Sequence, residues 1–318
     1  MKIAIAGGTG QVAQEVINAL VATQRYELLI LSRSTNKQTP VVSGIVYRAV
    51  AYHDKQDLIE ALRGVHTVLS FIQILSDDKQ MAQKNLIDAA VQAGVKRFAP
   101  SEYGRRVQLD FHMSWWNGKI EIRQYLAEIN RKETMLEYTL FQPGLFLEYL
   151  AFPHKTAKYL QPLQTVFDFD KCRAIVVQGH QDAVMSLTSV RDLAEIIAKT
   201  VELKGQWPVT FGVKANRLTF HDIVAIGERV RGRLFDVEHV EVEDLEAGNL
   251  KTSWSLEATH AAVSTEEAEK MLQQVAIGIL LSCLGNAWDV GEEANKLFPE
   301  HAFVKAEDYL SAVWMNKP

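Results

Sequence analysis

The chain has 318 residues, 47% apolar and 23% charged, the balance of an ordinary globular fold long enough for one large domain or two of usual size. Thirty-four Lys and Arg against 39 Asp and Glu leave a net charge of −5 with no basic run, so nucleic acid is not an expected partner. Cys172 and Cys283 show no CxxC or metal-ligand spacing, the longest apolar run (residues 275–285) is too short for a bilayer, and MKIAIAGG enters a strand pattern at once. A cytoplasmic protein in a reducing compartment is expected, without leader, membrane segment or structural disulfide.

Lys2 to Ala6 reads as the first strand, and AIAGGTGQVAQEV follows it into a helix over Val12 to Val21. Gly7, Gly10 and Ala13 fit GxxGxxG with alanine last, and Gly8, Gly10 and Ala13 fit GxGxxG/A. Glycines at a strand-to-helix turn let the backbone approach a pyrophosphate, whose charge is met by amides at the helix N-terminus. Gly7, Thr9, Gly10, Gln11 and Val12 are the residues expected to do so. The next strand, Glu27 to Leu31, ends in LSRSTNK, where an NAD-binding chain would carry an acid for the ribose. Arg33 and Lys37 would instead grip a 2′-phosphate, so NADP(H) is the expected cofactor.

Strands are further expected at Gly44 to Ala49, Thr67 to Phe71, Arg97 to Ala99 and Tyr138 to Phe141. Helices are expected at Asp57 to Leu62, Met81 to Ala93 and Lys119 to Asn130. The alternation implies an α/β fold, a Rossmann-like doubly wound parallel sheet whose ligands lie at the carboxyl ends of the strands. Beyond Phe141 the pattern turns irregular. Helices are expected there at Arg191 to Glu202 and at His221 to Arg231, the second opened by Thr219 and Asp222 as a shortened capping box. The expected division is a cofactor domain over residues 1–150 and a smaller α/β substrate lobe over 151–318, with a soft, interleaved boundary.

Taken together, GGTGQVA, LSRS, GVHTVLSFI, KNLIDAAVQAGVKRFAPSEYG and KIEIR give a chain that resembles the atypical short-chain dehydrogenases of the isoflavone reductase and NmrA-like group. That group includes phenylcoumaran benzylic ether and pinoresinol-lariciresinol reductases and many fungal oxidoreductases. The resemblance is densest to about residue 150 and continues through SVRDLAEIIAK, NRLTFHDIV and FPEHAFVKAEDYL. It implies an NADPH trough lined by Ser70 to Gln73, with Phe71 among them, and by Pro100 and Ser101. It places the family's catalytic lysine, which also touches the cofactor, on Lys119 of KxxIR, and passes Gln142 to Phe146 beside the nicotinamide. Two positions depart from the group: Ala13 replaces the usual last glycine, and Tyr103 stands where phenylalanine or tryptophan is commoner.

Four residues before Lys119, where a tyrosine-dependent reductase carries its phenol, WWNGKIEIR has Trp115, whose indole exchanges no proton at neutral pH. Three roles stay open for Lys119. Desolvated beside the nicotinamide and the aromatic pair Trp115 and Trp116, it could itself donate or accept the proton. Tyr103 could supply a phenol with Lys119 nearby. Or Lys119 is a solvated first-turn lysine, or one that only holds the cofactor ribose.

His112 reads as a surface residue. His154, His180 and His221 are isolated, so no metal is expected, and no Ser/His/Asp arrangement or GxSxG elbow occurs. Phe146, Tyr149, Phe152, Phe167 and Phe169 would suit a flat aromatic substrate, or else fill a core. The expected function is reduction by NADPH of an activated carbon (an enone, a quinone methide or benzylic ether, or a ketone) in a small aromatic or polyketide-like metabolite of secondary metabolism, by a chain that could act as a homodimer. The alternative is a dinucleotide-binding redox sensor without turnover.

Overall fold

The computed structural model describes residues 1–34, 44–74, 77–106, 116–257, 265–315 and 317, so Lys37, His112 and Trp115 lie outside the described residues. Two compact units form. The first takes in Met1–Tyr103, the stretch from Trp116 to Phe141, and Leu193–Phe211; the second takes in Gln142–Asp192 and Gly212–Pro318 together with residues 104–106.

The chain begins with β1 (Lys2–Ala6), α1 (Gln11–Thr23), β2 (Glu27–Ser32), β3 (Ile45–Ala49) and α2 (Lys55–Leu62). It continues with β4 (Thr67–Ser70), α3 (Met81–Gln92), β5 (Arg97–Ala99), α4 (Asn117–Ile129) and β6 (Glu137–Tyr138). The strands make one sheet in the order β3-β2-β1-β4-β5-β6, every neighbouring pair parallel. This is the doubly wound arrangement the alternation implies, with the strand order reversing between β1 and β4.

Helices on both faces bury the central strands, which is why Ile3–Ala6 and Thr67–Ser70 read as continuous runs rather than alternating ones. Leu58 and Leu62 of α2, Leu86 and Ile87 of α3, Ile122 and Leu126 of α4, and Phe98 share one core on one side of this sheet. Asp54 opens α2 two residues earlier than the apolar period suggests, by accepting from the amides of Gln56 (2.9 Å) and Asp57 (3.3 Å).

Next come β7 (Leu140–Gln142), β8 (Leu145–Phe146), β9 (Phe167–Asp168), β10 (Arg173–Val177), β11 (Val184–Thr188), α5 (Val190–Val201) and β12 (Thr210–Gly212). Then follow β13 (Asn216–Thr219), α6 (Phe220–Arg231), β14 (Asp236–Val240), α7 (Val242–Glu246), α8 (Thr265–Leu284), α9 (Glu293–Leu297) and α10 (Ala306–Trp314). Two three-stranded sheets, β14-β10-β9 and β13-β11-β8, and the pair β12-β7 complete the strands. Helix α6 starts with the shortened capping box, Thr219 and Asp222 bonding each other's amides.

One expectation needs correction, and one open alternative is decided. The strand over Tyr138 to Phe141 is two strands: the Thr139 amide still donates to Phe98 on β5 (3.1 Å), but the Leu140 amide turns to Val209 (2.8 Å). Strand β5 ends at Ala99, so the chain beyond has no parallel neighbour left to pair with. Of the aromatic set, for which a substrate wall and a core both stood open, Phe167 and Phe169 fill the core. Phe167 packs edge-on against Phe220 (4.8 Å), and Phe169 packs edge-on against Phe235 (5.4 Å) and stacks on Trp314 (6.3 Å).

Candidate active site

The glycine loop stands between β1 and α1 at the carboxyl end of the sheet. Gly7 has φ +71°, and a Cβ there would lie 2.6 Å from the Phe71 carbonyl oxygen, so the loop and the end of β4 meet only because no side chain intervenes. Gly8 leaves space in the same way for Ile30 of β2. Gly10 is the N-cap of α1 and offers no side-chain cap, there is no acid in the first turn, and Thr9, Gly10 and Gln11 are exposed. Amides at the positive end of a helix, without a side-chain anion beside them, suit a phosphate.

Tyr52, just past β3, braces this loop. Its hydroxyl accepts from the Gly7 amide (3.2 Å) and donates to the Leu31 carbonyl (3.2 Å), tying the glycine turn to the end of β2. Burial pushes the phenol up to about 12, while the Gly7 amide and the nearby charge of Arg33 pull the other way. Arg33 is exposed immediately after β2, and no acid occupies the end of that strand. Lys37, expected to add charge there, lies outside the described residues.

A second cluster gathers where β5 ends. Pro100 is buried and Ser101 half-buried, and the Ser101 amide donates to the side-chain oxygen of buried Gln83 on α3 (2.8 Å). The Glu102 amide turns back to the Pro100 carbonyl (2.8 Å). Tyr103, at φ +33°, stacks flat on Phe71 (4.5 Å between centroids) and on Phe141 (6.4 Å).

Lys119 sits in the first turn of α4 and is only 5% exposed. Its ammonium donates to the Glu102 main-chain carbonyl and lies 3.7 Å from the centroid of the Trp116 ring. One turn on, Arg123 grips the Glu102 carboxylate with Nε (2.8 Å) and Nη2 (2.7 Å). A cation in the first turn opposes the helix dipole, and the carbonyl and the indole face offset that cost.

This geometry narrows the roles left open. Lys119 is not a solvated first-turn lysine. Tyr103 is a half-buried stacked ring with a buried hydroxyl: burial raises its phenol well above the ordinary value, the Glu102 carboxylate raises it further, and its hydroxyl has no hydrogen-bond partner among the described residues. The first unit thus holds Gly7, Thr9, Gly10, Gln11, Val12, Arg33, Phe71, Pro100 and Ser101 at or just beyond carboxyl ends of its strands, with Lys119 on α4 bonded to Glu102 beyond β5. Phe146 belongs to the second unit, where it is buried and packs edge-on against Tyr149 (5.7 Å). Among the described residues no group of three or more His, Cys, Asp or Glu side chains could hold a metal.

Sequence reasoning missed Tyr52, Gln83, Glu102 and Arg123 as residues that shape the site. The only signal available was the spacing of Lys119 and Arg123, which puts two cations on one helix face and calls for an acid opposite.

The residues present fit a dinucleotide. The loop is a cradle that a Cβ at Gly7 would fill, and the Ser70 hydroxyl at the end of β4 is buried without a partner among the described residues. The family model described as "NmrA-like family" matches residues 1–310. The chain belongs to the NmrA-like family. Among curated proteins this NmrA-like chain is similar to the oxidoreductase swnN of Metarhizium robertsii, with 28% identity over 99% of this chain and 98% of that protein. It is similar also to a phenylcoumaran benzylic ether reductase of Ginkgo biloba, with 25% identity over 98% of each. The solved structure of AtPrR2 with NADP+ and (+)pinoresinol shares its fold at a TM-score of 0.70, 20% identity and 98% coverage of both chains. So does an NADPH-dependent quinone oxidoreductase of Escherichia coli complexed with NADPH, at a TM-score of 0.71, 20% identity, and 98% and 99% coverage.

Proposed function

We propose that the protein reduces an activated carbon (an enone, a quinone methide or benzylic ether, or a ketone) of a small aromatic or polyketide-like metabolite, with Lys119 managing the proton. The chain is an oxidoreductase of the isoflavone reductase-like type, and its cofactor is NADP(H). The observation that carries the reading is the buried Lys119 ammonium, held by the Glu102 carbonyl and the Trp116 face at the carboxyl end of the same parallel sheet whose glycine loop and Arg33 suit NADP(H).

When bound, NADPH supplies the hydride. The amides opening α1 would hold its pyrophosphate, and Arg33 would meet the 2′-phosphate with its guanidinium. Gly7, braced by Tyr52, keeps the loop against β4. Lys119, shielded from water, delivers or takes one proton at Nζ as charge develops on the substrate. The names of two relatives, both phenylcoumaran benzylic ether reductases, support this choice of substrate class, and those of others support the reaction type alone.

The test is NADPH consumption against a panel of cyclic enones, quinones, aryl ketones and a benzylic ether, with NADPH affinity measured separately by fluorescence. Lys119→Ala is expected to lower kcat by about 10²–10⁴ while holding NADPH affinity within a few-fold. Tight binding without turnover on any candidate, and equal affinity in the variant, would favour a redox sensor instead.

A further inference from the structure

Four separate contacts pin the three residues from Ser101 to Tyr103. Gln83 holds the Ser101 amide, Lys119 takes the Glu102 carbonyl, Arg123 takes the Glu102 carboxylate, and Phe71 and Phe141 flank the Tyr103 ring. Helix α4 therefore grips one residue, Glu102, at two points one turn apart. The acid and its arginine are buried, with side chains 2% and 9% exposed.

Such a pair adds little net stability, because stripping water from two charges cancels most of their attraction, and an apolar pair of equal volume would fill the space as well. Its bidentate form does specify geometry, since only the arginine fork matches both carboxylate oxygens. It also places one anion and one cation beside the amine that handles the proton.

We propose that Glu102 and Arg123 are positioning residues for Lys119. Arg123 fixes the residue whose main-chain carbonyl holds the amine, and the paired charges set the proton affinity of that amine. This rests on the reading of Lys119 as the proton-handling group. Among the described residues, the other charged groups on the elements packed against α4 are engaged elsewhere or exposed. Asp77 accepts the Ala82 and Gln83 amides (2.8 and 3.1 Å), Lys84 pairs with Glu121 (3.1 Å), and Asp88 takes Lys55 and Tyr125. Asp78 and Lys79 are exposed, and the Tyr103 phenol stays protonated.

The expected signs are opposite for the two partners. Glu102→Gln removes the anion and leaves two neighbouring cations, so Lys119 loses its proton at lower pH. Arg123→Gln leaves the carboxylate to Lys119 alone, so deprotonation moves to higher pH. Each shift should be roughly two pH units, the effect of one unit charge about 6 Å away at an effective dielectric constant of about 20. The double variant, neutral at both positions, should return close to the unmodified protein.

The readout needs no substrate: protein labelled with 13C and 15N at lysine is titrated by NMR, with the Lys119 signal assigned from Lys119→Arg. Shifts of the same sign in both single variants, or no shift in either, overturn the proposal. If Arg123→Gln does not fold, Glu102→Gln, which keeps the side chain's shape, carries the sign test. Arg123→Lys keeps the charge and loses the fork, so Lys119 should titrate as before while kcat falls about tenfold and the KM for NADPH holds. Full kcat in that variant refutes the positioning role. The Lys119→Ala assay separates the two ideas: normal turnover there sinks the reading of Lys119 itself, whereas lost turnover with unshifted titrations sinks only the pair.

Discussion

Gly7 and Gly64 have nearly the same backbone, φ +71° and +74°, in opposite surroundings. An alanine at either position pays the left-handed penalty of about 1–2 kcal/mol, reduced by about 0.4–1 kcal/mol because the unfolded chain becomes stiffer, for a net cost near 1 kcal/mol. At Gly64 nothing lies within 4 Å of the new carbon, so the cost ends there. At Gly7 the new carbon would sit 2.6 Å from the Phe71 carbonyl oxygen and 2.7 Å from its carbon. That oxygen contact is roughly 0.7 Å inside a comfortable C···O approach of about 3.3 Å. Phe71 cannot simply retreat, because its amide is bonded to Ala6 of β1 (2.8 Å). Overpacking of this kind adds about 1–3 kcal/mol, so Gly7→Ala should cost about 2–4 kcal/mol against about 1 for Gly64→Ala. Urea unfolding of both variants measures the difference. NADPH titration should show at least a tenfold loss for Gly7→Ala and almost none for Gly64→Ala. Equal destabilisation by the two alanines, with unchanged cofactor affinity, would refute the reasoning that the loop is a fitted cradle.

Three further outcomes follow from the same site and its frame. Arg33→Glu should weaken NADPH by at least an order of magnitude and leave NADH little changed, because the lost contact is to the 2′-phosphate alone; equal losses for both cofactors in a binding assay would sink it. Tyr52→Phe removes the hydroxyl that accepts from Gly7 and donates to Leu31, leaving their direct backbone bond (3.2 Å), and should cost about 1 kcal/mol in urea unfolding, with weaker NADPH binding; a fully wild-type variant would show the hydroxyl to be idle. The Ala51 amide and then Arg48 hold the Asp57 carboxyl below its ordinary value of 3.8. A lowered folded-state value means stability present above the unfolded value and lost as pH falls through the folded one, so the advantage over Asp57→Asn should be constant near neutrality and shrink below about pH 4. A gap independent of pH would contradict this assignment.

What could be read ahead of the structure was what depends on neighbours in the chain. The buried Ile3–Ala6 stretch of β1 announces itself as an apolar run, the glycine turn as a motif, and the start of α6 as a cap, because each is decided within a few residues. Contacts made across long stretches of chain were silent. Tyr52 meets Gly7 across 45 positions and Arg123 meets Glu102 across 21, and neither side chain announces its partner. The division of β6 from β7 was hidden for a related reason: an apolar run looks the same whichever strand it pairs with, and only the end of β5 at Ala99 forces the change. In the second unit, the buried His301 bonds Asp192 at 3.1 Å across 109 positions, which no local pattern of either residue could suggest.

One small feature constrains how this site can vary in descent. Gly118, immediately before Lys119, faces the buried Gln80 side chain and Ile74 so closely that a Cβ there would overlap the glutamine amide. That amide donates to the Asp77 carbonyl (3.1 Å). Positions 80 and 118 are therefore coupled, because a side chain at 118 displaces the Gln80 amide from that bond. A lineage that gains alanine or serine at 118 should shorten the residue at 80 as well, or else carry its lysine in a different place.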